Sequence, residues 1–419
     1  MINSGAHQEQ EPVSLDSEGR LPYERRYRWV MLALVWLLYF MFGIIIFSLG
    51  PLVTPILKDL NISYSQMGLI AGAWPLTYIA VAAIGGAIID RWGIRKAILL
   101  GVILTGLSEV LRYFAGGFGT MFLCVALFGV GGPLISIGAP KTISLWFQGK
   151  ERGTAVGIYL TGVWIGGAVI VTTMNSVVMP LTGYSWRIAF LCFGLLVFAG
   201  AFLWWLLARD VKPVKATEST SIKKVFSGII SLRNVKLIFM MGPLSFAIGH
   251  GLNNWLPNIL EAGGLSPAVA GFAASIPIWI GTPTLVVVPH MVAPHARGRF
   301  IALSSVVVTI SLLLLAMTSG IPLIIGLVIY GLAYAWVLPL LVLILMDLPE
   351  VGSKYMGSAS GMYFCVAELG GFLGPLTVGA IKDWAGGFLA AVCFLASLSF
   401  IRIFAALSLK INPGRELKA

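Results

Sequence analysis

Apolar residues in this chain come in long runs, with polar residues gathered between them. Stretches of about 20 or more mostly apolar residues recur near 29–52, 65–89, 95–115, 120–147, 154–179, 186–208, 236–257, 267–289, 299–319, 322–346, 356–381 and 386–408. A helix rising 1.5 Å per residue needs about 20 residues to cross the roughly 30 Å of a bilayer's hydrocarbon. Barrel strands read instead as about ten residues of alternating character. Only a helix satisfies its own backbone over such lengths in lipid, so the pattern predicts an all-α polytopic membrane protein with twelve transmembrane helices. The longest polar interval, Arg209 to Lys236, divides them into six plus six. Within it Ile222, Val225, Phe226, Ile229 and Ile230 recur at helical spacing, predicting a short amphipathic helix lying on the membrane surface. The expected organisation is a tail over 1–27, a bundle over 28–209, a linker over 210–235, a second bundle over 236–410 and a tail over 411–419.

Composition narrows the function classes. Of the 419 residues 58% are hydrophobic and 11% charged, against roughly 25% charged in soluble domains. That balance excludes a cytosolic enzyme, a secreted disulfide scaffold and a disordered chain. The net charge of +11 arises from bases lying between apolar runs, not on one soluble face, so nucleic acid is not an expected partner. Of 28 lysines and arginines, 22 lie in segments on the side of both termini, 4 lie in the opposite set, and Lys141 and Arg402 fall inside runs. The positive-inside rule then places both termini in the cytoplasm of a plasma-membrane protein. The first 27 residues contain no apolar core, unlike a cleavable signal peptide. Cys124, Cys192, Cys365 and Cys393 all fall inside apolar runs and read as buried, unpaired side chains. No Gly-x-x-x-x-Gly-Lys phosphate loop occurs, and His290 and His295 stand five apart, a poor metal pair. No cofactor, metal or enzymatic activity is expected.

The two halves echo one another. GTAVGIYLTGVWIGG from Gly153 to Gly167 aligns at an offset of 204 with GSASGMYFCVAELGG from Gly357 to Gly371. Gly153, Gly157, Tyr159, Gly166 and Gly167 match Gly357, Gly361, Tyr363, Gly370 and Gly371. Related halves of this size suggest two bundles rocking about a shared site. Between the second and third runs stands GAIIDRWGIRK, Gly86 to Lys96. Its glycines permit a tight turn, and Asp90 lies beside Arg91, Arg95 and Lys96, an acid and three bases able to form a conformation-dependent charge latch. A topogenic cluster obeying the positive-inside rule is the plainer alternative.

This pattern, Gly-x-x-x-Asp-Arg-x-Gly-x-Arg-Lys, together with twelve runs, the six-plus-six division and YSWRIAF opening the sixth run, resembles the major facilitator superfamily over Arg28 to Lys410. The resemblance implies a secondary transporter working by alternating access, with Gly86, Asp90, Arg91, Gly93, Arg95 and Lys96 stabilising the outward-open state. The matching loop of the second half, PHMVAPHARGRF, keeps Arg297 and Arg299 but has Ala293 where an acid would stand. Drug exporters of the superfamily carry an arginine in span four and a Gly-Pro motif in span five; here Val125 and GVWIGG occupy those places. GAPKTISLWFQGKERGTAVGIY and HGLNNWLPNILEAGGLSPAVAG look more like the cyanate permease-like branch and neighbouring organic-anion porters, although span one lacks the arginine of cyanate-type permeases.

Ionisable residues within runs are the best pointers to a site, since each is costly in lipid unless paired or wetted. Glu368 lies mid-run and is a candidate proton-coupling residue; its counterpart in the repeat is Trp164. Lys141 could receive an anion or snorkel to the interface. His250, Asn253 and Asn254 form a polar stripe before Pro257, read as facing a cavity or as bonding between helices. Tyr159, Trp279, Tyr334 and Tyr363 are further candidates for lining it. Glu109 and Arg112 read as an outer-surface pair, and Arg402 as snorkelling from the twelfth run. The sequence thus predicts a monomeric transporter of a small organic solute, favouring a carboxylate-like anion, with protons as candidate coupling ions and the lipid bilayer as surroundings. An organic cation carrier, a facilitative uniporter and a non-transporting sensor are the alternatives.

Overall fold

The computed structural model describes residues 22–210, 232–348 and 351–410. The amphipathic linker helix expected around Ile222 to Ile230 lies outside the described residues, as do residues 1–21 and 411–419; residues 22–27, expected as the end of the first tail, instead begin the first helix. Fourteen principal helices occur among them. In the first half these are α1 (Pro22–Ser48), α2 (Val53–Leu60), α3 (Tyr64–Trp92), α4 (Ile94–Arg112), α5 (Phe118–Trp146), α6 (Gly149–Thr173) and α7 (Trp186–Leu207). The second half has α8 (Arg233–Ala262), α9 (Pro267–Met291), α10 (Arg297–Met317), α11 (Ile321–Tyr334), α12 (Val337–Met346), α13 (Gly352–Ala385) and α14 (Leu389–Leu407). Among the described residues ten spans are long and apolar enough to cross a membrane, or eleven if α3, bent by 60° after Ala82, counts as one. The remaining expected span, α4, is helical for 19 residues but carries Arg95, Lys96, Glu109 and Arg112, which lower its hydropathy. The first run exceeds its expected length, because Gly50–Leu52 makes only a short 3-10 turn before α2 continues it.

Local signals set the helix ends. Ser63 caps α3 by accepting from Gln66 N at 3.1 Å, while Gln66 Oε1 accepts from Ser63 N at 3.0 Å, a capping box that satisfies two orphan donors. Gly93, at φ +83, takes the left-handed turn between α3 and α4 that a Cβ would strain.

Helix α1 packs on α6, α3 on α5, and α4 on α5 and α7; in the second half α8 packs on α13, α10 on α14 and α11, and α9 on α11. The internal repeat has a packing basis. A Cβ at Gly166 would strike the Phe40 carbonyl of α1, and one at its counterpart Gly370 would strike the Pro243 carbonyl of α8. Small residues at one helical spacing let these backbones touch, the usual device of helix association in lipid.

The halves meet where α3 abuts α13 and α6 abuts α9. Asp383 of α13 accepts from Tyr64 N at 3.1 Å, Ser65 N at 2.7 Å and Ser65 Oγ at 2.5 Å. On the other seam Trp279 Nε1 donates to Thr172 Oγ1 at 3.1 Å and Asn175 Nδ2 to Pro267 O at 3.2 Å. Between them Asn258 Nδ2 donates to Thr54 Oγ1, which donates to Glu261 Oε2, each at 2.7 Å. These ties lie toward the end opposite the described termini of α1 and α14. At the terminal end the ion pairs stay within one half: Arg28–Glu151, Lys141–Asp90 and Arg297–Asp347. Side chains added at Gly86, Gly153, Gly157 or Gly361 would meet open space. Among the described residues the hydrogen bonds between the halves thus gather at one end, and the other, parted end shows none.

Two expectations about burial are corrected. Cys192 is exposed and Cys124, Cys365 and Cys393 are half-buried, because apolar side chains on a span can face lipid as well as protein. Leu195, Phe202 and Leu206 of α7 are exposed in the same way. Glu109 and Arg112 are not at the outer surface: they are 0% and 2% exposed and paired at 2.7 Å, with the guanidinium 4.9 Å from the Phe190 ring centroid.

Candidate functional site

Prolines in the helices create the first polar feature of the interior. Pro140 has no N–H, so the Ser136 carbonyl loses its intrahelical donor; the Tyr39 hydroxyl approaches it at 3.4 Å. Tyr78 OH lies 2.8 Å from Ser136 Oγ, and Tyr159, buried, meets Tyr39 edge-on at 4.8 Å. This Tyr39–Tyr78–Tyr159 group gathers helices α1, α3, α5 and α6 of the first half around Ser136.

The second half supplies ionisable groups. His250 stacks on Trp74 of α3 with centroids 5.3 Å apart and planes at 28°, so this contact also crosses between halves. A side chain at Gly371 would lie 3.3 Å from His250 Nδ1 and would collide with Glu368 Oε2. The absent Cβ is thus what lets the carboxylate and the imidazole share one spot. Glu368 is 7% exposed and its Oε2 has no hydrogen-bond partner, and no lysine or arginine pairs with it among the described residues. Buried carboxyls without partners are costly and mark functional positions in membranes.

One helical turn on from His250, Asn253 helps to line a small cleft open to solvent, together with Trp164, Pro277, Ile278, Gly281, Tyr330, Gly331, Tyr334 and Ala335. Tyr330 and Tyr334 stack at 5.0 Å and 11°, and Tyr334 OH donates to Ser245 O at 2.7 Å. Of the polar stripe, Asn253 lines the cleft, whereas Asn254 is buried and donates back to His250 O at 2.9 Å. Tyr363 is buried with its hydroxyl unpartnered. Trp279, 44% exposed, serves the α6–α9 seam and is not among the cleft residues.

Arg402 does not snorkel. It is 0% exposed and donates to Ser305 Oγ at 2.9 Å, Ser245 Oγ at 3.0 Å and Ser399 Oγ at 3.5 Å. Three serines on three helices, none conspicuous alone, capture a guanidinium that helical spacing had placed near a membrane boundary. Lys141 Nζ pairs with Asp90 at the parted end. The acid is therefore answered from α5, not by the bases of its own loop. Arg95 instead bonds the Trp205 carbonyl, and its backbone N donates to Asp210 Oδ1 at 3.0 Å. Arg91 and Lys96 are exposed. Arg297, whose loop lacks an acid, finds Asp347 at the C-terminal cap of α12.

Sequence reasoning did not place Trp164, Pro277 or Ile278 among the site residues. A signal existed for Trp164, which occupies the position in the repeat equivalent to Glu368. Among the described residues no three His, Cys, Asp or Glu side chains gather as a metal site.

A sequence profile of the Major Facilitator Superfamily matches residues 35–375. The chain is 24% identical over 377 residues to a hexuronate transporter of Bacillus subtilis, covering 84% of this chain and 86% of that one. It is 24% identical over 415 residues to a probable sulfoacetate transporter of Cupriavidus necator, covering 92% and 94%. Among solved structures, the nucleoside transporter NupG superposes with a TM-score of 0.77 at 16% identity, covering 91% of this chain and 99% of that one. A bacterial homologue of the lysosomal transporter Spinster, inward-facing and occupied, gives 0.73 at 18%, covering 91% and 96%.

Proposed function

The chain belongs to the Major Facilitator Superfamily, a family of transporters and not of enzymes, and we propose that it carries a small organic anion across the plasma membrane by alternating access, coupled to protons. Its two six-helix bundles, 28–209 and 236–410, rock as a monomer. Both termini lie in the cytoplasm, a placement that the distribution of bases supports, so the parted end is the inner one. The observation that carries the reading is the unpartnered Glu368 carboxyl beside His250, which stacks on Trp74 across the line where the halves meet. A proton taken up there alters the charge of the interface, and hence the balance between states. The relatives' hexuronate and sulfoacetate are carboxylate or sulfonate anions, the chemistry a cleft lined by Asn253, Tyr330 and Tyr334 offers donors to. Lys141, Asp90 and the rest of Gly86–Lys96 act at the parted end in the conformational balance.

The test is uptake of labelled glucuronate and sulfoacetate by proteoliposomes of the purified protein under an inward proton gradient. Accumulation that collapses with a protonophore is expected. Transport of an amine with neither anion moving would overturn the anion reading and favour a cation held by Glu368 against the aromatic faces.

A further inference from the structure

Arg402 is fully buried and makes no ion pair among the described residues. A guanidinium carries five N–H donors and needs an anion when removed from water, yet this one has only serine hydroxyls. The described acids of the second half are otherwise placed: Asp347 pairs with Arg297, Glu261 accepts from Thr54, Asp383 accepts from Ser65, and Glu368 stands beside His250. Around Arg402, within electrostatic range, are Tyr330, Tyr334 and Tyr363. Two of them, Tyr330 and Tyr363, have buried hydroxyls without any partner. One buried cation without an anion and two buried donors without acceptors are the complement of a single oxyanion.

The group adjoins the cleft. Tyr330 and Tyr334 both line it, and Tyr334 bonds the carbonyl of Ser245, the same residue whose hydroxyl accepts from Arg402. We propose that the cleft is the subsite for the carboxylate of the transported anion, with Tyr330 and Tyr363 as its hydroxyl donors and Arg402, behind the Tyr330–Tyr334 stack, as its fixed counter-charge. This rests on the anion reading above and names the residues that confer it. Reaching both hydroxyls requires the tyrosine stack to part, so occupancy of the subsite is tied to a rearrangement of α11. A neutral solute of the same shape gains nothing from the buried charge, which makes Arg402 a determinant of substrate charge and a positioning element for the tyrosines.

Glucuronate and glucose differ only in the carboxylate, so the experiment measures the affinity of full-length purified protein for both, together with the ligand-free melting temperature. Tyr330→Phe combined with Tyr363→Phe is expected to weaken glucuronate about tenfold or more, to leave weak glucose binding unchanged, and to hold or raise the ligand-free melting temperature, because only orphan hydroxyls are lost. Arg402→Lys should keep much of the affinity that Arg402→Gln loses. If Arg402→Gln does not fold, the tyrosine pair and Arg402→Lys decide the matter. Wild-type affinity for glucuronate in the double tyrosine variant would overturn the proposal. Failure of the anion reading shows elsewhere: the wild-type protein would then bind neither glucuronate nor sulfoacetate, and the subsite falls with it.

Discussion

The two halves treat buried charge differently. In the first half Arg28 pairs with Glu151 and Glu109 with Arg112, so each charge hidden from water is answered on the spot. In the second half Arg297 is paired, but Glu368 and Arg402 are 7% and 0% exposed and neither makes an ion pair among the described residues. The backbone crossing is shared, since Gly166 of α6 against α1 and Gly370 of α13 against α8 play the same part. At the position where the second half has Glu368, the first half has Trp164. A common scaffold thus carries paired charges on one side and unpaired ionisable groups on the other, and a buried ionisable group without a partner persists where a proton or a ligand can answer it.

That contrast can be broken most strongly in the first half. Glu109→Gln strands Arg112 and is expected to cost about 3–5 kcal/mol of stability, read as lost monodispersity or a lower melting temperature. Glu109→Leu combined with Arg112→Met should recover most of it. A single variant as stable as wild type would mean that the pair is not neutralising. In the second half the order reverses: Glu368→Gln should leave stability level or higher while abolishing proton-driven accumulation, with counterflow preserved. Unchanged proton dependence would remove Glu368 from coupling.

A smaller effect is expected at the closed seam. Asp383→Asn removes a charged acceptor from the start of α3, where backbone donors favour an anion by about 0.3–1 kcal/mol. Cysteine labelling of the outer vestibule should rise, and a level signal would show that the remaining seam contacts suffice. The smallest belongs to Asp90→Asn. Asp90 and Lys141 side chains are 69% and 37% exposed, and such pairs contribute about 1 kcal/mol or less. Stability should barely move; inner-vestibule labelling should rise if the pair helps to hold the inner side closed at another stage of the cycle. A drop of several kcal/mol would reveal a structural role instead.

Hydropathy alone determined that the chain is helical and membrane-spanning, because lipid admits few backbone solutions and a run of about 20 apolar residues has little else to become. The glycine repeat was equally legible, since close helix approach demands a missing Cβ whatever lies opposite. The partners of charges were not legible. Arg402 is 97 residues from Ser305 and 157 from Ser245, Asp90 is 51 from Lys141, and the faces that bring them together depend on helix rotation, which apolar runs leave open because both lipid and protein accept apolar side chains. Trp164 and Tyr330 join one cleft for the same reason: which side of a span looks inward is decided by the neighbours it packs against, and that is settled only when the tertiary structure forms.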